Sequence, residues 1–86
     1  MKAKFSPLVQ QKLLHLNKKD KKLTVRIEKQ IKLFESNPKH PSLRTHKLTG
    51  NLTNRWSISI NKGLRMVYLM LDEDIAYFVD IGTHDF

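Results

Sequence analysis

The chain has 86 residues, with 16 Lys and Arg against 8 Asp and Glu, a formal net charge of +8 and no cysteine. That length gives a single domain with one small core. The missing thiols exclude a disulfide framework or a thiolate zinc site, and no apolar run nears the roughly 20 residues a membrane helix needs. Residues 1–7 carry charge without a following apolar stretch, so no secretory signal is read and a cytoplasmic protein is expected. The charge is uneven: residues 1–50 hold 13 basic and 3 acidic side chains (+10), residues 51–86 hold 3 and 5 (−2). A basic first half suits a polyanion, of which nucleic-acid phosphate is the commonest, or serves only as a solvated lysine-rich surface.

Lys2 to Phe5 is available as a short first strand. From Phe5 to Leu16 the apolar residues Leu8, Val9, Leu13 and Leu16 form a helical stripe. Ser6 is placed to cap this helix and Pro7 to occupy its first position, where a missing N–H costs nothing. Asn17 is the expected end, followed by a polar joint over Lys18-Lys19-Asp20-Lys21-Lys22. A second helix spans about residues 20–36, with Leu23, Ile27, Ile31 and Phe34 on one face and Lys22, Arg26, Lys29 and Lys32 on the other. Asn37-Pro38 stops it. Residues 1–37 therefore read as an antiparallel helical hairpin.

Residues 37–54 are loop-rich. The period then changes to two: Trp56, Ile58 and Ile60 alternate with Ser57, Ser59 and Asn61, as in a half-buried strand. Asn61-Lys62-Gly63 is a turn. Leu64 to Leu71 is nearly continuous in apolar residues, as expected of a central strand buried on both faces. Asp72-Glu73-Asp74 turns the chain into a third strand, Ile75 to Ile81. The expected fold class is α+β, with the two-helix hairpin on one face of a small antiparallel sheet of three to four strands and residues 55–82 as the meander.

Arg65 stands out at the start of the apolar strand. It either caps the sheet with its stem buried and its head in water, or points into a working site. Of the four histidines, His15 reads as surface or packing and His40, between prolines, as a loop residue. His46 and His84 flank the sheet, one before its first meander strand and one after its last. Two histidines and an arginine can cleave RNA without metal: one group takes the 2′-OH proton, one protonates the departing 5′-oxygen, and the arginine neutralises the phosphorane. Scattered surface histidines are the plain alternative. No metal set, Gly-rich phosphate loop or nucleophile elbow competes, so neither metal nor cofactor is expected.

The ordered run His46-Lys47-Leu48-Thr49-Gly50-Asn51-Leu52, Trp56-Ser57, Ile60, Leu64-Arg65-Met66-Val67-Tyr68 and Gly82-Thr83-His84-Asp85 resembles the RelE/ParE superfamily of bacterial toxins over residues 43–86. Asn51-Leu52, Trp56-Ser57, Ile60, Arg65 and Val67-Tyr68 resemble the YoeB branch; His46, Leu48, Gly50 and Gly82-Thr83-His84 resemble the YafQ branch. The resemblance implies a RelE-like fold and the toxin of a type II toxin-antitoxin system. Such a toxin is a metal-independent mRNA endonuclease acting in the ribosomal A site, in contact with ribosomal RNA, and is bound by a cognate antitoxin. It implies Arg65 as the residue stabilising the scissile phosphate, His84 as general acid and His46 as base. Lys47, Arg55 and Phe86 are expected to contact the RNA, Phe86 by stacking on a base. Ser59 stands where YafQ has a second histidine and YoeB an arginine. Two alternatives share parts of this pattern: a ParE-like toxin acting on DNA gyrase, which needs no proton-transfer pair, and a basic RNA-binding module without catalysis.

Overall fold

The computed structural model describes residues 1–49 and 54–83. Helix α1 (Pro7–Lys19) starts where its chemistry dictates: the Ser6 hydroxyl accepts the Val9 N–H at 3.2 Å and Pro7 takes the first position. The helix runs past Asn17 to Lys19, because Asp20, not Asn17, makes the joint. The Asp20 N–H donates to the Leu16 carbonyl at 2.8 Å, and its carboxylate accepts the Leu23 N–H at 3.0 Å. One residue thus closes α1 and opens α2 (Lys21–Ser36), and the expected five-residue joint shrinks to that residue. Asn37 ends α2 by donating to the Leu33 carbonyl at 2.7 Å.

Among the described residues five strands form one sheet: β1 (Lys2–Phe5), β2 (His46–Lys47), β3 (Arg55–Ser59), β4 (Leu64–Asp72) and β5 (Ile75–Thr83), in the order β1-β5-β4-β3-β2. β1 lies parallel to β5 and every other pair is antiparallel. The expected three-strand meander is β3-β4-β5. The count exceeds the expected three to four because the short first strand does form and because β2 adds two residues, too few to show any period.

The helices cover one face of the sheet. Val9, Ile27 and Phe34 from the helices meet Ile58, Met66, Tyr68, Ala76, Phe78 and Ile81 from the strands and Ile60 just past β3, with Leu43 closing one side. Phe34 lies edge-on to both Tyr68 and Phe78, at centroid distances of 4.9 and 5.4 Å. Strand alternation sends Arg55, Ser57 and Ser59 of β3, and Arg65, Val67 and Leu69 of β4, to the opposite face. A bulge leaves Val79 unpaired, since Val67 faces Asp80 while Tyr68 faces Phe78.

Side chains of α2 also close the sheet edges. Glu35 accepts the Ala3 N–H of β1 at 3.0 Å. At the other edge β2 pairs only with Trp56 and Ser57, and beyond it Gln30 and Arg26 donate to the carbonyls of Ser59 and Ile60 at 2.9 and 2.8 Å. These bonds explain why Gln30 is buried on an otherwise apolar helix face, and they satisfy carbonyls an edge would leave open. The β3–β4 turn is held by the Asn61 side-chain oxygen, which accepts from the N–H groups of Gly63 and Leu64, both at 2.9 Å. Among the described residues no helix is long and apolar enough to cross a membrane.

Candidate active site

The open face of the sheet carries the polar residues that the sequence singled out. Arg65 sits in the central strand β4, opposite Ser59 on one side and Gly82 on the other. Its side chain leans along β3 away from Ser59: Nε donates to the Ser57 hydroxyl at 2.9 Å, and Nη2 donates to the Ser57 carbonyl at 3.2 Å and the Arg44 carbonyl at 2.7 Å. The guanidinium is thus fixed by three bonds to neutral acceptors, and Nη1 makes no hydrogen bond to any described residue. No described carboxylate pairs with it; among the described residues the single ion pair is Lys12–Asp80 at 2.7 Å. Partial burial, and then the nearby charge of Arg44, pull the Arg65 pKa below its ordinary value. Arginine nevertheless stays charged, so Arg65 presents a partly dehydrated cation with no ion-pair partner, and one donor edge without a bond, among the described residues. Such a group gains most from an oxyanion.

Two neighbours hold that geometry. Ser57 is 2% exposed and is the middle residue of a three-strand row, with His46 opposite it on β2 and Val67 opposite it on β4. Arg44 follows the 3₁₀ turn Pro41–Leu43 in the left-handed conformation, at φ 45° and ψ 52°. A non-glycine residue adopts this region at some cost, and here it turns the Arg44 carbonyl onto Arg65. His40 builds the same turn, its Nδ1 accepting the Ser42 N–H at 3.1 Å.

The structure brings His46 and Arg65 to the same face, flanking Ser57 across about two strand spacings of roughly 4.8 Å each. His46 is exposed. Arg55 shares that face by alternation, opposite Leu69. Lys47 does not: it pairs with Trp56, and its ammonium lies 5.7 Å from the centroid of the Trp56 ring. His84 and Phe86 lie outside the described residues. β5, which ends at Thr83, is the neighbour of β4 opposite to β3, so Arg65 stands between β5 and the Ser57–His46 row. His15 is exposed on α1, against a groove that Leu64 and Ile81 also line. Among the described residues no three His, Asp or Glu side chains converge as a metal ligand set would.

Ser57 and Arg44 were not legible as site residues. Ser57 reads as the polar member of an alternating strand, and its burial beneath Arg65 depends on the registers of β2 and β4. Arg44 reads as one more basic loop residue, and no sequence signal marks a left-handed arginine.

Comparison with known proteins places this architecture. The family of YoeB-like toxins of bacterial type II toxin-antitoxin systems matches residues 5–84. Toxin YoeB of Synechocystis sp. is 35% identical over 75 residues, covering 87% of each chain. A YoeB–YefM toxin-antitoxin complex from Staphylococcus aureus superposes with a TM-score of 0.80 at 26% identity, over 98% of this chain and 97% of that one. The YoeB/ParE toxin from Agrobacterium tumefaciens gives 0.81 at 18% identity, over 98% and 99%. YafQ in the E. coli DinJ–YafQ complex gives 0.76 at 14% identity, over 95% and 91%, which speaks for the fold alone. The two-helix layer and the five-stranded sheet are thus those of a toxin fold, and the chain belongs to the YoeB-like toxin family.

Proposed function

We propose that this chain is a metal-independent endoribonuclease that cuts mRNA in the ribosomal A site and is held inactive by a cognate antitoxin. The observation that carries the reading is the Arg65 guanidinium, fixed by neutral acceptors, paired with no described carboxylate and open along one donor edge. In the proposed reaction His46 removes the 2′-OH proton and the 2′-oxygen attacks the adjacent phosphorus. The P–O5′ bond breaks as the new P–O2′ bond forms, leaving a 2′,3′-cyclic phosphate. His84 gives its proton to the departing 5′-oxygen, and Arg65 neutralises charge on the phosphorane. Arg55, on the same face, and Lys47, at its edge, attract neighbouring phosphates, and Phe86 stacks on a base. The lysines around Asp20 meet ribosomal RNA phosphate.

The antitoxin follows from the company the fold keeps. The Staphylococcus aureus YoeB was solved with YefM and E. coli YafQ with DinJ. A +8 chain with Leu8, Leu14 and Val25 exposed on its helices suits an acidic partner with an apolar stripe.

The test is expression of the toxin alone with primer extension on cellular mRNA. Arg65→Ala and His84→Ala should each relieve growth arrest and remove the cleavage stops while the purified variants stay folded. Folded variants that remain as toxic as the parent would refute the nuclease reading. Intact mRNA with inhibited DNA supercoiling would instead establish a gyrase-directed toxin.

A further inference from the structure

A second polar cleft opens beside Arg65, at the edge of β3 that β2 leaves uncovered. It has a volume of about 320 Å³ and is lined by Arg26, Ser42, Arg44, Ser59, Asn61 and Lys62. Three cations, two hydroxyls and an amide meet there without a carboxylate among the described residues, although the lining comes from α2, the 3₁₀ turn, β3 and the β3–β4 turn. None of the three cations joins an ion pair among the described residues. The Arg26 Nε is spent on the Ile60 carbonyl at 2.8 Å, which anchors the guanidinium and leaves its terminal nitrogens without a bond to any described residue. Bringing like charges together in a folded chain costs free energy, so a cluster of this kind is relieved by an anion.

The cleft is continuous with the Arg65 site. Ser59 in its wall is the cross-strand partner of Arg65, about 5 Å away at Cα. Arg44 touches both places: its carbonyl accepts from Arg65 at 2.7 Å while the residue lines the cleft. We infer that this cleft is a second phosphate subsite, holding the phosphodiester next to the one at Arg65 on the same RNA strand, with Arg26, Arg44 and Lys62 as its cations. The inference rests on the nuclease reading and deepens it. It means the enzyme grips at least two successive phosphates, and that these three cations set the register of the strand over Arg65. Arginine forks and the Lys62 ammonium suit a phosphodiester, the Ser59 hydroxyl donating instead to the Asn61 carbonyl at 3.0 Å, and the continuity with Arg65 favours RNA over an acidic peptide of the antitoxin.

Lys62, which makes no hydrogen bond to Arg65, and the left-handed Arg44 supply the variants. Glycine adopts φ 45° without strain, so Arg44→Gly deletes the guanidinium and keeps the carbonyl on Arg65. The probes are a 2′-O-methyl dinucleotide with one phosphate and the corresponding trinucleotide with two, neither cleavable because the nucleophile is blocked. They are titrated into isotope-labelled toxin and followed by NMR. The native protein should bind the trinucleotide about tenfold tighter than the dinucleotide, as one more charge-assisted contact would give. Lys62→Ala should reduce that advantage to about twofold, leave dinucleotide affinity unchanged, and lower the salt slope for the trinucleotide by about 0.7 per lost phosphate contact. Arg44→Gly, whose carbonyl and charge also act at Arg65, should weaken the trinucleotide more than the dinucleotide. An undiminished trinucleotide advantage in both variants would overturn the inference. So would an equal loss for both probes in Lys62→Ala. Arg65→Ala separates the two readings: it should weaken both probes equally, and unchanged dinucleotide binding in that variant would remove the nuclease reading together with the subsite.

Discussion

The two faces of the sheet are made by the same strands and differ in what covers them. On the helical face Met66 and Tyr68 of β4 are buried against Phe34 and Phe78. On the open face Arg65 and Val67 of the same strand lie under no helix, and Arg65 takes its bonds from a serine and a loop carbonyl. One strand thus carries stability on its even-numbered residues and the candidate chemistry on Arg65. The side chain proposed to do the chemistry is held by a strand that cannot shift without unpacking the core.

That division can be broken most sharply by one substitution on each face. Phe34→Ala should cost about 3–5 kcal/mol, much of the roughly 4–13 kcal/mol expected for a domain this size. Arg65→Ala should leave the melting transition within a few degrees of the parent yet lower RNA cleavage about a hundredfold or more, as loss of a charge-stabilising donor does. Thermal unfolding followed by circular dichroism, beside a single-turnover cleavage assay, reads both. A large stability loss in Arg65→Ala would show that the open face is structural too.

A smaller change sharpens the comparison. Ser57 is buried, yet it faces away from the helices, and its hydroxyl accepts from the Arg65 Nε. Ser57→Ala removes one of three anchors and leaves the two carbonyl bonds from Nη2. Cleavage should fall about tenfold, the worth of one charge-assisted hydrogen bond, while the protein keeps its fold. A loss as large as that of Arg65→Ala would mean the serine touches the RNA itself.

The sequence disclosed the helical face far better than the open one. A stripe of Leu23, Ile27, Ile31 and Phe34, and the apolar run of β4, follow from burial, which acts on each residue's own chemistry. The helix ends were harder, because Asp20 serves two helices at once and its role depends on both being present. β2 was not seen, since two residues have no period. On the open face Arg65 was ambiguous by itself. Its assignment rests on the registers that set Ser57 beneath it and on a left-handed Arg44, 21 positions away in the chain. The cleft beside it joins Arg26 to Lys62, residues that read in sequence only as surface charge. Core positions are declared locally, whereas a site assembled from distant polar residues is declared only by topology.

The smallest expected effect tests whether the helical face is as dry as its packing implies. Tyr68 lies between Phe34, Trp56 and Phe78, and burial raises its phenol pKa above the ordinary 10.0. In the unfolded chain the phenol ionises near 10, while in the folded chain it stays protonated to higher pH. Above that value the folded state binds more protons than the unfolded one, so stability contributed by Tyr68 is complete below pH 10 and declines as the pH rises further. The decline cannot exceed about 1.4 kcal/mol per pH unit for a single group. Tyr68→Phe cannot ionise and keeps the ring stacked on Trp56. Its denaturant midpoint should therefore run parallel to the parent's from pH 7 to 9.5 and fall less steeply above 10. Parallel curves through pH 11 would mean that the phenol already meets water in the folded state, and that the helical face is open along the Trp56 side of the sheet.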